Sequence, residues 1–111
     1  MELISIIMPY YKKKNFIDQS VESVLNQSYK NFELLIVYDD SDKKELSYLK
    51  KFVDSDDRVK IIENEKNLGA GLSRNKGIEI SKGKFIAFLD SDDLWYKTKL
   101  EKQIKLFGTL F

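Results

Sequence analysis

The chain has 111 residues, a length that suits one domain with one hydrophobic core and is short for an enzyme that binds two substrates. Its 19 basic and 18 acidic residues nearly cancel, so no global field exists to attract nucleic acid or an anionic membrane surface. The absence of cysteine and histidine excludes disulfides and thiolate or imidazole metal sites, so any metal must be bound through oxygen.

The N-terminus lacks the features of a signal peptide. Glu2 precedes the first apolar run, and neither a basic lead nor a small-residue cleavage site is present. No apolar run is long enough to span a bilayer. We therefore expect a cytoplasmic protein without a transmembrane segment, and leave open a peripheral position at the inner membrane face for a longer form.

Four short apolar runs predict strands buried on both faces of a sheet: residues 3–8 (closed by Pro9), 32–37, 59–62 and 85–89. Apolar residues at helical spacing predict four helices, at residues 17–25, 44–53, 72–81 and 100–111. This strict alternation predicts right-handed crossovers and a Rossmann-like, three-layer α/β/α fold with a mainly parallel sheet. No linker or repeat interrupts residues 1–111, so we expect a single domain.

Ligands of open parallel sheets bind beyond the carboxyl ends of the strands. The segments that follow the predicted strands are Pro9-Tyr10-Tyr11, Asp39-Asp40, Asn67 to Gly71, and Asp90-Ser91-Asp92-Asp93. Because these segments meet at one edge of the sheet, we expect them to form one site.

Asp90 and Asp92 are candidate ligands of a hard divalent ion, Mg²⁺ or Mn²⁺, which prefers oxygen and leaves positions open for phosphate. The alternative is a turn that caps the last helix. Three carboxylates crowded at the end of a buried strand favour the metal, because their repulsion needs relief by a cation, by hydrogen bonds or by raised pKa values.

Three further residues have two interpretations each. Asp39 could hydrogen-bond a ribose or a base edge, or form an Asx turn. The planar fork of Arg74 suits a base or a diphosphate, although surface arginines are common. Tyr11, beside a rigid turn, could stack on a nucleobase or pack internally. We expect Asp40 to be solvated or capping, and Gly77 to let its helix approach the sheet closely.

The ordered motifs along the chain resemble those of the inverting glycosyltransferase family 2. They are Met8-Pro9-Tyr10-Tyr11, Ser23-Val24-Leu25-Asn26-Gln27-Ser28-Tyr29, Phe32-Glu33, Asn67-Leu68-Gly69, Ser73-Arg74-Asn75-Lys76-Gly77 and Phe88-Leu89-Asp90-Ser91-Asp92-Asp93. The resemblance covers almost the whole chain and implies a GT-A fold, in which this chain forms the N-terminal, donor-binding part of a longer transferase.

The resemblance also implies roles at the site. Asp39 would bind the base or ribose, Arg74 the nucleotide and Asp90 the ribose, while Asp92 would hold the metal on the diphosphate of a UDP- or GDP-linked sugar. Pro9 and Tyr11 would line the base pocket.

Two departures from the family pattern stand out. Tyr38 occupies the position at which members often carry the first of two aspartates. In addition, we expect these 111 residues not to include the acceptor-binding half, which supplies the catalytic base in the family, and Glu101 matches no family base. The chain could then be a non-catalytic module that forms a homodimer or pairs with the acceptor half. A receiver-type phosphoacceptor domain is disfavoured, because the first predicted strand ends without acid.

Overall fold

The computed structural model describes residues 1–110, and side chains up to residue 106. Phe107 and Phe111, two apolar positions of the predicted last helix, fall outside the described side chains. The elements alternate along the chain: β1 (Ile4–Tyr10), α1 (Lys14–Leu25), β2 (Phe32–Tyr38), α2 (Leu46–Ser55), β3 (Val59–Glu63), α3 (Ala70–Ile80), β4 (Phe85–Phe88) and α4 (Lys99–Leu110).

The four described strands form one parallel sheet in the order β3-β2-β1-β4. The predicted α/β fold is therefore confirmed. Within the described residues, no helix is both long enough and apolar enough to cross a membrane.

The two faces of the sheet are covered unequally. Even-numbered residues of β1 and β2 point to a large core shared with α1, α2 and α4, which includes Ile6, Met8, Ile36, Val21, Leu49 and Leu100. Odd-numbered residues point to a smaller cluster under α3, made of Ile7, Leu35 and Val37. A sheet covered on both faces explains why β1 and β2 are continuous apolar runs rather than alternating ones.

Gly77 sets the distance between α3 and the sheet, as its position predicted. A Cβ atom at Gly77 would lie 2.6 Å from Cγ2 of Ile7, a separation that real Cβ atoms do not adopt. Gly69, which precedes α3, has φ of 90°, a left-handed conformation that favours glycine. Both glycines therefore fix how α3 enters and crosses the sheet.

Pro9 does not close β1, contrary to the prediction. The strand continues to Tyr10, and Pro9 pairs with Val37 of β2. The Ile7 carbonyl accepts a bond from Leu89 on the β4 side, so the Pro9 nitrogen, two residues later, faces the same side. Because β4 ends at Phe88, no ladder partner is lost there, and proline is tolerated inside the strand.

A buried carboxylate lies at the opposite end of the sheet from the predicted site. Glu33, 5% exposed, accepts bonds from Ser5 Oγ at 2.6 Å, the Lys82 N–H at 2.7 Å and Lys60 Nζ at 3.3 Å. The Gly83 N–H donates to Ser5 Oγ at 2.8 Å. Burial raises the pKa of Glu33, but these hydrogen bonds outweigh it and leave the pKa below its ordinary value. The network ties the entry of β4 to β1 and β2.

We expect Glu33→Gln to lower the free energy of unfolding by about 1–3 kcal/mol at pH 7, because an amide nitrogen replaces an oxygen that accepts hydrogen bonds. Since the folded-state pKa is lowered, the contribution of Glu33 is fully present above its unfolded pKa of about 4.3 and is lost as pH falls through the folded value. Urea unfolding between pH 7 and pH 3 measures the difference between wild type and variant.

Glu79→Gln is the control, since it removes the same charge from an exposed position on α3. A Glu33→Gln effect that is no larger than this control, or that does not shrink in acid, would contradict the role given to Glu33.

Candidate functional site

A cavity of about 300 Å³ opens at the carboxyl edge of the sheet. Its lining includes all six residues that the sequence selected, namely Pro9, Tyr11, Asp39, Arg74, Asp90 and Asp92. Tyr10, Lys13, Ala70 and Ser91 complete it. These residues come from four separate segments of the chain, and the parallel topology brings them together. Their individual binding roles remain predictions.

The backbone of β1 places the two acidic segments on either side of its end. The Asp39 N–H donates to the Tyr10 carbonyl at 2.8 Å, and the Leu89 N–H donates to the Ile7 carbonyl at 3.1 Å. Asp39 on one side and Asp90 on the other thus flank the loop that carries Tyr11. The Tyr11 side chain is about half exposed, and its ring lies 5.5 Å from Lys12 Nζ.

The Asp39 carboxylate is buried and accepts four hydrogen bonds from the loop before α3. Oδ1 accepts from the Leu68 N–H at 2.6 Å and from Asn64 Nδ2 at 2.9 Å. Oδ2 accepts from the Gly69 N–H at 2.9 Å and from Asn67 Nδ2 at 3.2 Å. A carboxylate has about four acceptor positions. Asp39 therefore holds the loop that leads into α3, and Ala70 and Arg74 of α3 line the cavity.

The residues beside Asp39 are internal. Asp40 is neither solvated nor a helix cap, contrary to the prediction. It is 6% exposed, α2 has no side-chain cap, and Oδ1 of Asp40 accepts from the Asp42 N–H at 3.0 Å and closes a turn. Tyr38 is fully buried, stacks on Tyr10 with ring centroids 5.7 Å apart, and donates to the Asp42 carbonyl at 2.6 Å. Tyr38 therefore supports the cavity from within the core and does not line it.

Three carboxylates meet in the loop after β4. Asp90, Asp92 and Asp93 each offer one oxygen, and these oxygens all lie within 4.8 Å of one another. Two cations face them across the cavity: Arg74 Nη2 lies 3.0 Å from Asp90 Oδ1, and Lys13 Nζ lies 3.3 Å from Asp92 Oδ2. The three carboxylates are crowded as predicted, and the two ion pairs relieve part of the repulsion between them.

The same three carboxylates fit a hard divalent ion. They supply only oxygen, they are exposed, and the chain has no thiolate or imidazole ligand to favour a softer metal. Asp92, with Asp90 or Asp93, would hold Mg²⁺ or Mn²⁺. Such an ion neutralises the charge of a departing diphosphate.

Three polar residues of α1 and its C-terminal end bond the acidic loop and the segment that follows it. None was selected as a site residue, although Ser23 and Gln27 belong to one of the motifs found in the sequence. Ser20 Oγ donates to the carbonyls of Ser91 at 2.9 Å and Asp93 at 2.6 Å, and Ser23 Oγ accepts from the Trp95 N–H at 3.2 Å. Gln27 is fully buried and its Oε1 accepts from the Leu100 N–H at 3.1 Å. The sequence signal that could have identified these three residues is their helical spacing next to the apolar positions of α1.

An open parallel sheet with acidic, aromatic and basic side chains converging at its carboxyl edge defines an α/β domain with a candidate ligand site at the place where such folds bind their ligands. Comparison with known proteins identifies the protein family. The chain belongs to glycosyl transferase family 2, whose family model matches residues 5–110. A receiver-type phosphoacceptor domain is thereby excluded.

The chain is similar to a UDP-Glc:alpha-D-GlcNAc-diphosphoundecaprenol beta-1,3-glucosyltransferase, WfgD of Escherichia coli, with 46% identity over 94% of this chain and 40% of that protein. The crystal structure of S. aureus TarS 1-349 in complex with UDP aligns with a TM-score of 0.85 at 27% identity, over 98% of this chain and 32% of TarS. The mannosyltransferase PcManGT from Pyrobaculum calidifontis, in complex with GDP-Man and Mn²⁺, shares the fold at 19% identity with a TM-score of 0.84, over 92% of this chain and 31% of its own. The chain thus spans less than half of each of these three proteins, and its fold matches the two GT-A glycosyltransferase structures.

We expect Asp39→Asn to lower the free energy of unfolding by about 1–3 kcal/mol. The amide nitrogen of asparagine would face N–H groups of the loop in place of an oxygen that accepts their hydrogen bonds. Hydrogen exchange at the Leu68 and Gly69 amides should accelerate, since both donate to Asp39. Urea unfolding and exchange measured by NMR test this, with the exposed Asp54→Asn as control. Unchanged exchange at both amides would show that the loop does not depend on Asp39.

Proposed function

We propose that this chain binds a nucleoside-diphosphate sugar together with Mg²⁺ or Mn²⁺. It would be the donor-binding part of a longer glycosyltransferase that transfers the sugar to a saccharide or lipid-linked acceptor in cell-surface polysaccharide synthesis. One observation carries the proposal: the six residues selected as ligands line a single cavity at the edge of the sheet where nucleotides bind in such folds.

The cavity divides into an aromatic part and a charged part. Tyr11 and the backbone of Pro9 would form the surface on which the base lies. Asp92 would hold the metal on the diphosphate, and Asp90 would lie beside the ribose. Arg74, now paired with Asp90, has further donors in its planar fork to offer a base or a phosphate.

We propose that Asp39 contributes to nucleotide binding mainly by holding the loop of residues 64–69 in position. Its two oxygens already accept four bonds, so a direct bond to the base or ribose would share or displace one of them. The loop of residues 64–69 would then fix the start of α3, whose Ala70 and Arg74 line the cavity together with Asp39.

Relatives favour a uridine donor and a lipid-linked acceptor. WfgD is named for UDP-Glc and a diphosphoundecaprenol acceptor, and TarS was crystallised with UDP. We extend the UDP preference to this chain as part of the proposal. An acceptor of that kind resides in a membrane, so the longer transferase would act at the inner membrane face.

Activation of the acceptor would fall to another part of the longer protein. In the described part of the chain, the carboxylates that line the cavity already face the loop, Arg74 or Lys13. Glu101 lies outside the cavity on α4, where its Oε2 accepts from Ser28 Oγ at 2.7 Å. We therefore assign this chain donor binding and not proton transfer from the acceptor.

We expect isothermal titration calorimetry to show UDP binding that is stronger with Mn²⁺ than without it. Asp92→Asn should reduce the Mn²⁺-dependent part roughly tenfold or more, since it removes one charged ligand of the ion. Asp57→Asn, an exposed substitution in a distant turn, is the control. GDP and the UDP- and GDP-sugars complete the series, and absence of binding by all of them would reject the donor site.

A second function, subunit pairing, is favoured by the exposed apolar face of edge strand β4. Ile86 and Phe88 lie on the face of the sheet against which α3 packs, and they are 39% and 47% exposed. On this face α3 covers the neighbouring strands but leaves these two side chains of β4 partly uncovered. Edge strands with apolar side chains commonly find partners. We propose that two copies of this chain associate through β4 when no other segment covers it.

Light scattering at tens of micromolar should then detect a dimer of the wild-type chain. The double variant Ile86→Thr with Phe88→Ser should be monomeric, because it removes apolar area from the contact. Leu106→Ser, at an exposed position on α4, should leave the dimer intact. A wild-type chain that is monomeric throughout would reject the pairing.

A further inference from the structure

Lys13 lines the cavity but was not among the residues selected from the sequence. It directly precedes α1 and follows Lys12, which has a left-handed φ of 52°. Its Nζ lies 3.3 Å from Asp92 Oδ2, and the two side chains are similarly exposed, at 41% and 40%. A partly exposed ammonium group thus pairs with the residue that is proposed to hold the metal.

Lys13 and a divalent cation would compete for the same oxygen of Asp92. An ammonium within ion-pair distance of a carboxylate repels an incoming cation and occupies one lone pair of the ligand. The Lys13 side chain is long and flexible, so it can leave Asp92 without backbone movement. Its Nζ would remain at the cavity that the phosphates of a nucleotide would enter.

We propose that Lys13 exchanges partners during donor binding: it pairs with Asp92, is displaced by the divalent ion, and then pairs with the diphosphate of the nucleotide. The proposal rests on the proposed donor-binding function and adds a positioning residue to it. As a consequence, metal binding and nucleotide binding are coupled, because the divalent ion frees the Lys13 ammonium to pair with the diphosphate. Binding of metal and of nucleotide should therefore strengthen each other.

The neighbouring lysines provide a matched comparison. Lys14 Nζ lies 5.0 Å from the centre of the Tyr48 ring, and Lys14 does not line the cavity. Lys14→Gln therefore removes the same charge one residue away without touching Asp92. Lys13→Arg keeps the charge at the cavity and serves as the conservative variant.

The experiment measures Mn²⁺ alone and UDP in saturating Mn²⁺ on the 111-residue chain, by electron paramagnetic resonance and calorimetry. For Lys13→Gln we expect Mn²⁺ alone to bind roughly threefold more tightly, since a competing ion pair of the exposed kind is removed. UDP with Mn²⁺ should bind roughly tenfold more weakly, since a charged contact to phosphate is lost. Lys13→Arg should restore both values towards wild type.

Opposite shifts for metal and nucleotide are the signature, since a purely structural role would weaken both. If Lys13→Gln shifts both in the same direction, or no more than Lys14→Gln does, partner exchange is wrong and the donor site stands. If the wild-type chain binds neither Mn²⁺ nor UDP, the donor site and the role of Lys13 are both rejected. Circular dichroism of each variant verifies that the fold is retained.

Discussion

The parallel pairing of β1 with β2 on one side and β4 on the other is the constraint on which the site depends. Bonds from Asp39 to Tyr10 and from Leu89 to Ile7 align the ends of the three strands. Since parallel strands share a direction, the residues that follow them emerge at one edge. The aromatic loop after β1 is thereby enclosed between two acidic segments that lie far apart in the chain.

Negative charge at this edge is partly compensated by nearby cations. The cluster of Asp90, Asp92 and Asp93 is opposed by Arg74 and Lys13, from two different elements. Exposed ion pairs of this kind are each worth less than about 1 kcal/mol, so they can be exchanged for other partners at little cost. Asp39 differs, because its carboxylate is buried and its four hydrogen bonds hold the loop in place. The site thus combines a fixed wall with exchangeable charges.

Polar residues of two kinds stabilise the scaffold around these charges. Ser20 and Gln27 on the α1 side bond the backbone that carries the acidic loop. Glu33, at the far end of the sheet, bonds the segment that leads into β4. Among the described residues β4 is an edge strand that pairs only with β1, and these bonds hold its two ends to the rest of the domain.

The sequence by itself determined the order of the elements, the parallel α/β architecture and the six residues at the cavity. Apolar runs and periodicities record burial directly, and strand ends in such a sheet converge by topology. Only the tertiary structure decided that Pro9 lies inside β1, that Asp40 is buried, and that Lys13 faces Asp92. These features depend on where a neighbouring strand ends and on how side chains distant in sequence meet, which no local pattern encodes.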